Sequence, residues 1–182
     1  MEGHLAALEE VAYDERIWRY MLTRVRTRDD LRGWIAAALR AREAGNVLPW
    51  VTVLESEGRV VGSTRFLDLD LTNKTVEIGH TWIAPGYQSA GVNPEAKLLQ
   101  LRYAFEGLGL NRVALKTHHE NLQSQAAMRK MGAVEEGTFR NHYVMPDGSA
   151  RHSVWFSIVR DEWPGVRALL EDRLEREKAL FR

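Results

Sequence analysis

The sequence contains no cysteine. That excludes disulfides, thiolate metal sites and any cysteine-acyl intermediate. It has no excess of either charge, since 25 Lys and Arg stand against 25 Asp and Glu. Nothing in that balance argues for nucleic acid as a main partner. No run approaches the roughly 20 apolar residues of a membrane span. Met1-Glu2-Gly3-His4 opens without the basic and apolar regions of a signal peptide. There are no repeats, linkers or low-complexity tracts. A nucleotide-binding Gly-x-x-x-x-Gly-Lys-(Ser/Thr) loop is missing, as is the Gly-x-Ser-x-Gly elbow of serine hydrolases. What remains is an ordinary globular composition, 45% hydrophobic and 27% charged over 182 residues. The expectation is one cytoplasmic domain spanning residues 1–182.

The apolar pattern reads as a mixed α/β (α+β) chain. Thr27 is placed to cap a helix in which Leu31, Trp34, Ile35, Ala38 and Leu39 recur at helical spacing, with Gly45-Asn46 as its stop. Trp50–Leu54, Val60–Leu69 and Thr75–Ile83 read as strands joined by short turns, an antiparallel meander. Asn93 with Pro94 then suits the start of a helix ending at Gly109, followed by a strand at Val113–Thr117. Strand, helix and strand in that order imply a parallel pair. A helix from Asn121 to Gly132, strands at Val134–Met145 and Ser153–Val159, and a helix from about Asp161 through Arg176 complete the reading. A sheet that changes from antiparallel to parallel leaves a crevice at the strands' carboxyl ends.

The loop before the second helix bears on function. A glycine-containing turn leading into a helix leaves backbone N–H groups unpaired, and the helix dipole adds positive charge. Such a turn suits a pyrophosphate, although a single glycine is equally a plain tight turn. Gln88-Ser89-Ala90-Gly91-Val92-Asn93 resembles the (Gln/Arg)-x-x-Gly-x-(Gly/Ala) loop of the GNAT N-acetyltransferase superfamily. The wider stretch resembles its ribosomal-protein N-acetyltransferase (Rim) branch. The likeness is carried by Glu77-Ile78-Gly79, Trp82, Gln88 to Lys97, Gly109 to Val113, Asn121-Leu122-Gln123-Ser124, Met131-Gly132-Ala133 and Glu136-Gly137, in the family's order.

The resemblance implies a GNAT-like mixed sheet flanked by helices, with a parallel splayed pair in the middle. Acetyl-CoA would lie between the strands Thr75–Ile83 and Val113–Thr117. Backbone groups of Trp82 and Ile83 would hold the pantetheine, and N–H groups of Gln88, Ser89, Ala90, Gly91, Val92 and Asn93 the pyrophosphate. Asn121 would bind the pantetheine arm and Ser124 would meet the sulfur, alongside their plain reading as helix-cap residues. Asn93 replaces the loop's last glycine. The family normally has a strand before its first helix, and this chain starts almost inside that helix. Either the start was assigned too late or the strand is absent, and its absence would leave a sheet edge open to a partner or to a homodimer.

Acetyl transfer needs a neutral amine, and without cysteine the simplest course is direct attack in a ternary complex. Glu77, near the splay, is the first candidate base; its plain alternative is a solvated strand glutamate. His142, next to Tyr143, is the second. Strict alternation puts His80 on the opposite face from Glu77. His118 and His119 lack further ligands, so no metal is expected. Trp50, Phe66, Trp155 and Phe156 read as core, and Arg65 and Arg140 as surface charges. The acceptor is a small-molecule amine or a protein N-terminus. The alternative is a CoA-binding module without turnover.

Overall fold

The computed structural model describes residues 2–88 and 91–180. Its centre is a six-stranded sheet in the order β1-β2-β3-β4-β6-β5. The strands are β1 (Leu48–Leu54), β2 (Arg59–Asp70), β3 (Thr75–Ile83), β4 (Arg112–His118), β5 (Val134–Val144) and β6 (Ala150–Val159). Only β3 and β4 run parallel; the other neighbours are antiparallel. The helices are α1 (Leu5–Glu9), α2 (Glu15–Trp18), α3 (Arg28–Glu43), α4 (Val92–Arg102), α5 (Leu122–Lys130) and α6 (Trp163–Leu180). Among the described residues no helix is long and apolar enough to cross a membrane.

One face of the sheet is closed by α4, α5 and α6. Phe66, Val76, Ile78, Val113, Leu115, Phe156 and Ile158 meet Leu98, Leu101, Met128, Val166 and Leu170 there. Each large side chain sealed in this way contributes about 1.5–3 kcal/mol. On the other face, α1, α2 and α3 cover only the β1–β3 end. Leu8, Ile17, Trp18, Leu31, Trp34 and Ile35 pack there on Val60 and Trp82. Trp18, Trp34 and Trp82 form a ring cluster with centroids 5.7–6.4 Å apart. Helix α3 starts where expected. Thr27 Oγ1 accepts from the Asp30 N–H and Asp30 returns the bond to the Thr27 N–H, a full capping box.

No strand precedes β1 among the described residues. The expected gap is filled differently: α1 and α2 take that part of the chain and bury Leu8, Ala12, Ile17, Trp18 and Val25. Strand β1 therefore forms one edge of the sheet and β5 the other.

The feature that shapes the centre is a bulge in β3. Ser63 faces Trp82 and Arg65 faces Gly79, so Thr64 alone opposes both His80 and Thr81. His80 adopts φ 48°, a left-handed value that is uncommon outside glycine. A bulge bends its strand and increases the local twist. The ladder between β3 and β4 accordingly covers only Thr75–Ile78 against Arg112–Leu115. Beyond it β3 pairs with β2 and β4 with β6. The parallel pair therefore splays where the sequence placed the crevice.

Candidate active site

The mouth of the splay is built by the turn entering α4 and by the first turn of α5. Gly91 is the N-cap of α4 at φ 75°, so the helix begins at Val92 and not, as expected, under an Asn93 cap. A left-handed cap is strained for any residue with a Cβ, which explains the glycine. A Cβ there would also stand 2.8 Å from Glu177 Oε2. That oxygen is buried without a hydrogen-bond partner among the described residues, while Arg173 takes the other oxygen at 2.8 Å. A carboxylate oxygen of α6 thus stands against this turn without being held by it. Ser89 and Ala90 lie outside the described residues. Gln88 spans the turn, its Nε2 donating to the Ile83 carbonyl at 2.9 Å.

On the other lip, Asn121 caps α5 and its Oδ1 accepts from the Ser124 N–H at 3.1 Å. The Asn121 cap reading is therefore met, and its side-chain N–H₂ has no partner among the described residues. The Ser124 hydroxyl has no hydrogen-bond partner among the described residues. Ile83 packs with Val61 and Val92 under the loop, and the Trp82 ring lies in the tryptophan cluster on the opposite face. Deeper in, Lys97 is buried beneath the splay and donates to Thr81 Oγ1 (3.0 Å) and Gln100 Oε1 (2.9 Å). Burial lowers its pKa to about 7.

The second part of the site lies on the sheet face that α1–α3 leave uncovered. Glu77 is neither solvated nor free: it is 5% exposed and paired with Lys116 at 2.5 Å. Burial raises its pKa, and the Lys116 charge works against that rise. Gly79 leaves the room this carboxylate needs, since a Cβ would meet Glu77 Oε1 at 3.0 Å. The Lys116 ammonium sits 4.7 Å over the Trp155 ring and 5.6 Å from that of Tyr143. Trp155 is therefore the floor of an open polar face and not core as expected; Phe66 and Phe156 are core.

Two further corrections arise here. The bulge ends strict alternation after Gly79, so His80 is turned toward the Glu77 face. Burial first, then the charges of Arg65, Lys116 and Arg151, lower its pKa to about 4. Its Nδ1 is buried without a partner among the described residues. Arg65 is not a surface charge but 6% exposed, with its guanidinium 4.1 Å over the Trp34 ring. Arg140 is exposed, as expected. His142 lies against Tyr143, with ring centroids 4.0 Å apart and ring planes tilted by 37°. It lines an open cleft of about 960 Å³ with Phe139, Arg140, Asn141 and His152, a cleft that Glu77 does not line. Lys116 and Arg151 escaped the sequence reading, because only strand pairing brings them to Glu77. Among the described residues no group of three or more His, Asp or Glu is placed to hold a metal.

Comparison with known proteins agrees with this geometry. The profile of the acetyltransferase (GNAT) domain family matches residues 1–134. "Putative ribosomal N-acetyltransferase YdaF" of Bacillus subtilis is 34% identical over 111 residues, 61% of this chain and 60% of that protein. The chain thus matches about three-fifths of that relative's length. A GCN5-related N-acetyltransferase from Brucella melitensis superposes with a TM-score of 0.88 at 26% identity, covering 95% of this chain and 78% of the other. The spermidine N-acetyltransferase of Vibrio cholerae, solved in complex with CoA and spermine, shares the fold at 18% identity. Its TM-score is 0.73, over 90% of this chain and 94% of the other. With a sheet that splays at its parallel pair, a left-handed glycine at the mouth and a family profile across most of its length, this chain belongs to the GNAT acetyltransferase family.

Proposed function

We propose that the protein transfers an acetyl group from acetyl-CoA to a primary amine by direct attack in a ternary complex. The observation that carries this reading is the β3–β4 ladder. It stops at Ile78 and Leu115 and leaves a slot whose mouth is the Gly91 turn at the N-terminus of α4, the positive end of the helix dipole. The thioester supplies an activated acetyl carbon: the amine forms the new C–N bond, the C–S bond breaks and the thiol leaves.

The chain's residues have distinct tasks in this reading. Backbone groups of Gln88 through Asn93 and the free end of β3, Trp82 and Ile83, hold the phosphates and the pantetheine. The Asn121 amide donates to the same arm. The Ser124 hydroxyl, unengaged within the protein, stabilises negative charge as it develops on sulfur. Glu77 takes the amine's proton, directly or through a water. Its raised pKa makes it a stronger base than a solvated carboxylate. Lys116 holds that carboxylate in place, and His142 is the second candidate.

One observation favours the binding-module alternative: Glu77 is already committed to Lys116. The deciding experiment is thiol release from acetyl-CoA with a panel of small amines and peptide N-termini. Release that depends on an amine supports transfer. A melting temperature raised by acetyl-CoA with no release from any amine supports the binding module.

A further inference from the structure

The sheet face that carries Glu77 holds more buried positive charge than its buried carboxylate balances. Glu77 is paired with Lys116. Arg65 and Arg151 are 6% and 7% exposed, and among the described residues neither has a carboxylate within ion-pair distance. Arg65 Nη2 donates to the Trp34 carbonyl at 3.3 Å, and its Nε is buried without a partner. Arg151 Nε donates to Ser153 Oγ and Nη1 to the Tyr20 carbonyl, each at 3.2 Å. A guanidinium carries five N–H donors, so both leave donors over. Buried cations are ordinarily matched by an anion, because desolvating an unmatched charge is costly. Arg65, on β2, and Arg151, on β6, flank the two strands, β3 and β4, that carry the Glu77–Lys116 pair.

We propose that the acceptor carries a carboxylate as well as its amine, and that Arg65 and Arg151 bind that carboxylate. This rests on the acetyl-transfer reading above and deepens it by naming the substrate class. The planar fork of a guanidinium matches the two oxygens of a carboxylate. The carboxylate supplies the missing negative charge and sets the amine beside Glu77. The same cations disfavour an ammonium nearby and so help to keep the attacking nitrogen neutral. The competing account gives Arg65 a purely structural task, pinning α3 to the sheet through Trp34.

Matched acceptors separate the two. Thiol release is measured with L-methionine against L-methioninamide, and with the dipeptide amides of Glu-Ala against Gln-Ala. The first pair presents an α-carboxylate and the second a side-chain one, so together they locate the source. The inference expects a higher kcat/KM for the carboxylate member of at least one pair. Arg65→Gln should lower that carboxylate-to-carboxamide ratio roughly 10- to 100-fold, the size of a charge-assisted hydrogen bond. Arg65→Lys should restore part of it. A structural Arg65 would lower both members equally and leave the ratio unmoved, which would overturn the inference while acetyl transfer stood. Arg151→Gln serves if Arg65→Gln does not fold. Calorimetric titration of the wild type with the same pairs reads binding without turnover. Preference for the carboxylate there, with no thiol release from any amine, would remove the transfer reading, and the acceptor with it, while leaving the two arginines as a carboxylate site. Equal binding of both members of both pairs would remove the inference.

Discussion

Replacing Lys97 with methionine should change how stability depends on pH, and its effect should change sign at about pH 9. Lys97 is buried beneath the splay, and burial alone lowers its pKa from 10.5 to about 7. In the unfolded chain the amine titrates near 10.4, so between these values the unfolded state holds a proton that the native state lacks. Stability therefore rises with pH through this window and is lowest below pH 7. At about 1.4 kcal/mol per unit, the buried charge costs roughly 4–5 kcal/mol at pH 6.5 and about 1 kcal/mol at pH 9.5. Against this stand two hydrogen bonds, to Thr81 and Gln100, together about 2 kcal/mol. Neither acceptor is orphaned by the substitution, because Thr64 Oγ1 bonds both, at 2.7 and 3.3 Å. Lys97→Met should then be more stable than wild type by about 2–3 kcal/mol at pH 6.5, and equal or slightly less stable at pH 9.5. Urea unfolding of both proteins at the two pH values measures it. A mutant weaker by the same margin at both would mean that Lys97 keeps an ordinary pKa, and the burial argument would fail.

Three other substitutions test the site. Ser124→Ala should slow acetylation by roughly 10- to 100-fold with acetyl-CoA affinity within a few-fold, as for a hydrogen bond made chiefly in the transition state. Wild-type turnover in a destabilised mutant would return Ser124 to helix capping. Lys116→Met should cost about 3–5 kcal/mol by leaving Glu77 buried and unpaired, and adding Glu77→Gln should recover most of it in the same denaturation assay. A single mutant as stable as wild type would show that water reaches the pair. Glu177→Gln should enlarge the acetyl-CoA-induced rise in melting temperature, since an unpaired carboxylate oxygen no longer stands against the Gly91 turn; an unchanged rise would place the phosphates elsewhere.

The parts of the fold that the sequence revealed are those set by short-range patterns. Thr27, the turns after Leu54 and Asp70, and Asn121 with Ser124 are local signals, and the expected strands and helices begin within a few residues of their places, whereas α1 and α2 escaped the sequence reading. The α4 cap was misplaced because Asn and Gly both suit helix ends, and only the backbone reveals that Gly91 takes the left-handed position. The site's electrostatics were legible only in part. Glu77 stood out through its motif, but its partner lies 39 residues away on a strand reached by a crossover. His80 was assigned to the wrong face because alternation assumes an unbroken ladder, and the bulge opposite Thr64 is set by long-range pairing. Arg65 read as surface because arginine usually is, and its burial depends on Trp34 arriving from another element.

The short parallel ladder has a mechanical consequence. The sheet is two leaves, β1-β2-β3 and β4-β6-β5, sharing a spine of four residue pairs, whereas β4 and β6 share seven. The backbone therefore contributes little to keeping the leaves together. The fastening comes from underneath, where Leu98 and Leu101 of α4 and Leu170 of α6 press on Val76 and Ile78 of one leaf and on Val113, Leu115 and Phe156 of the other. A cavity cut into that layer, far from any reacting atom, would loosen the angle between the leaves before it unfolded either one. The width of the slot is thus set by the packing of side chains on the far face of the sheet, away from any reacting atom.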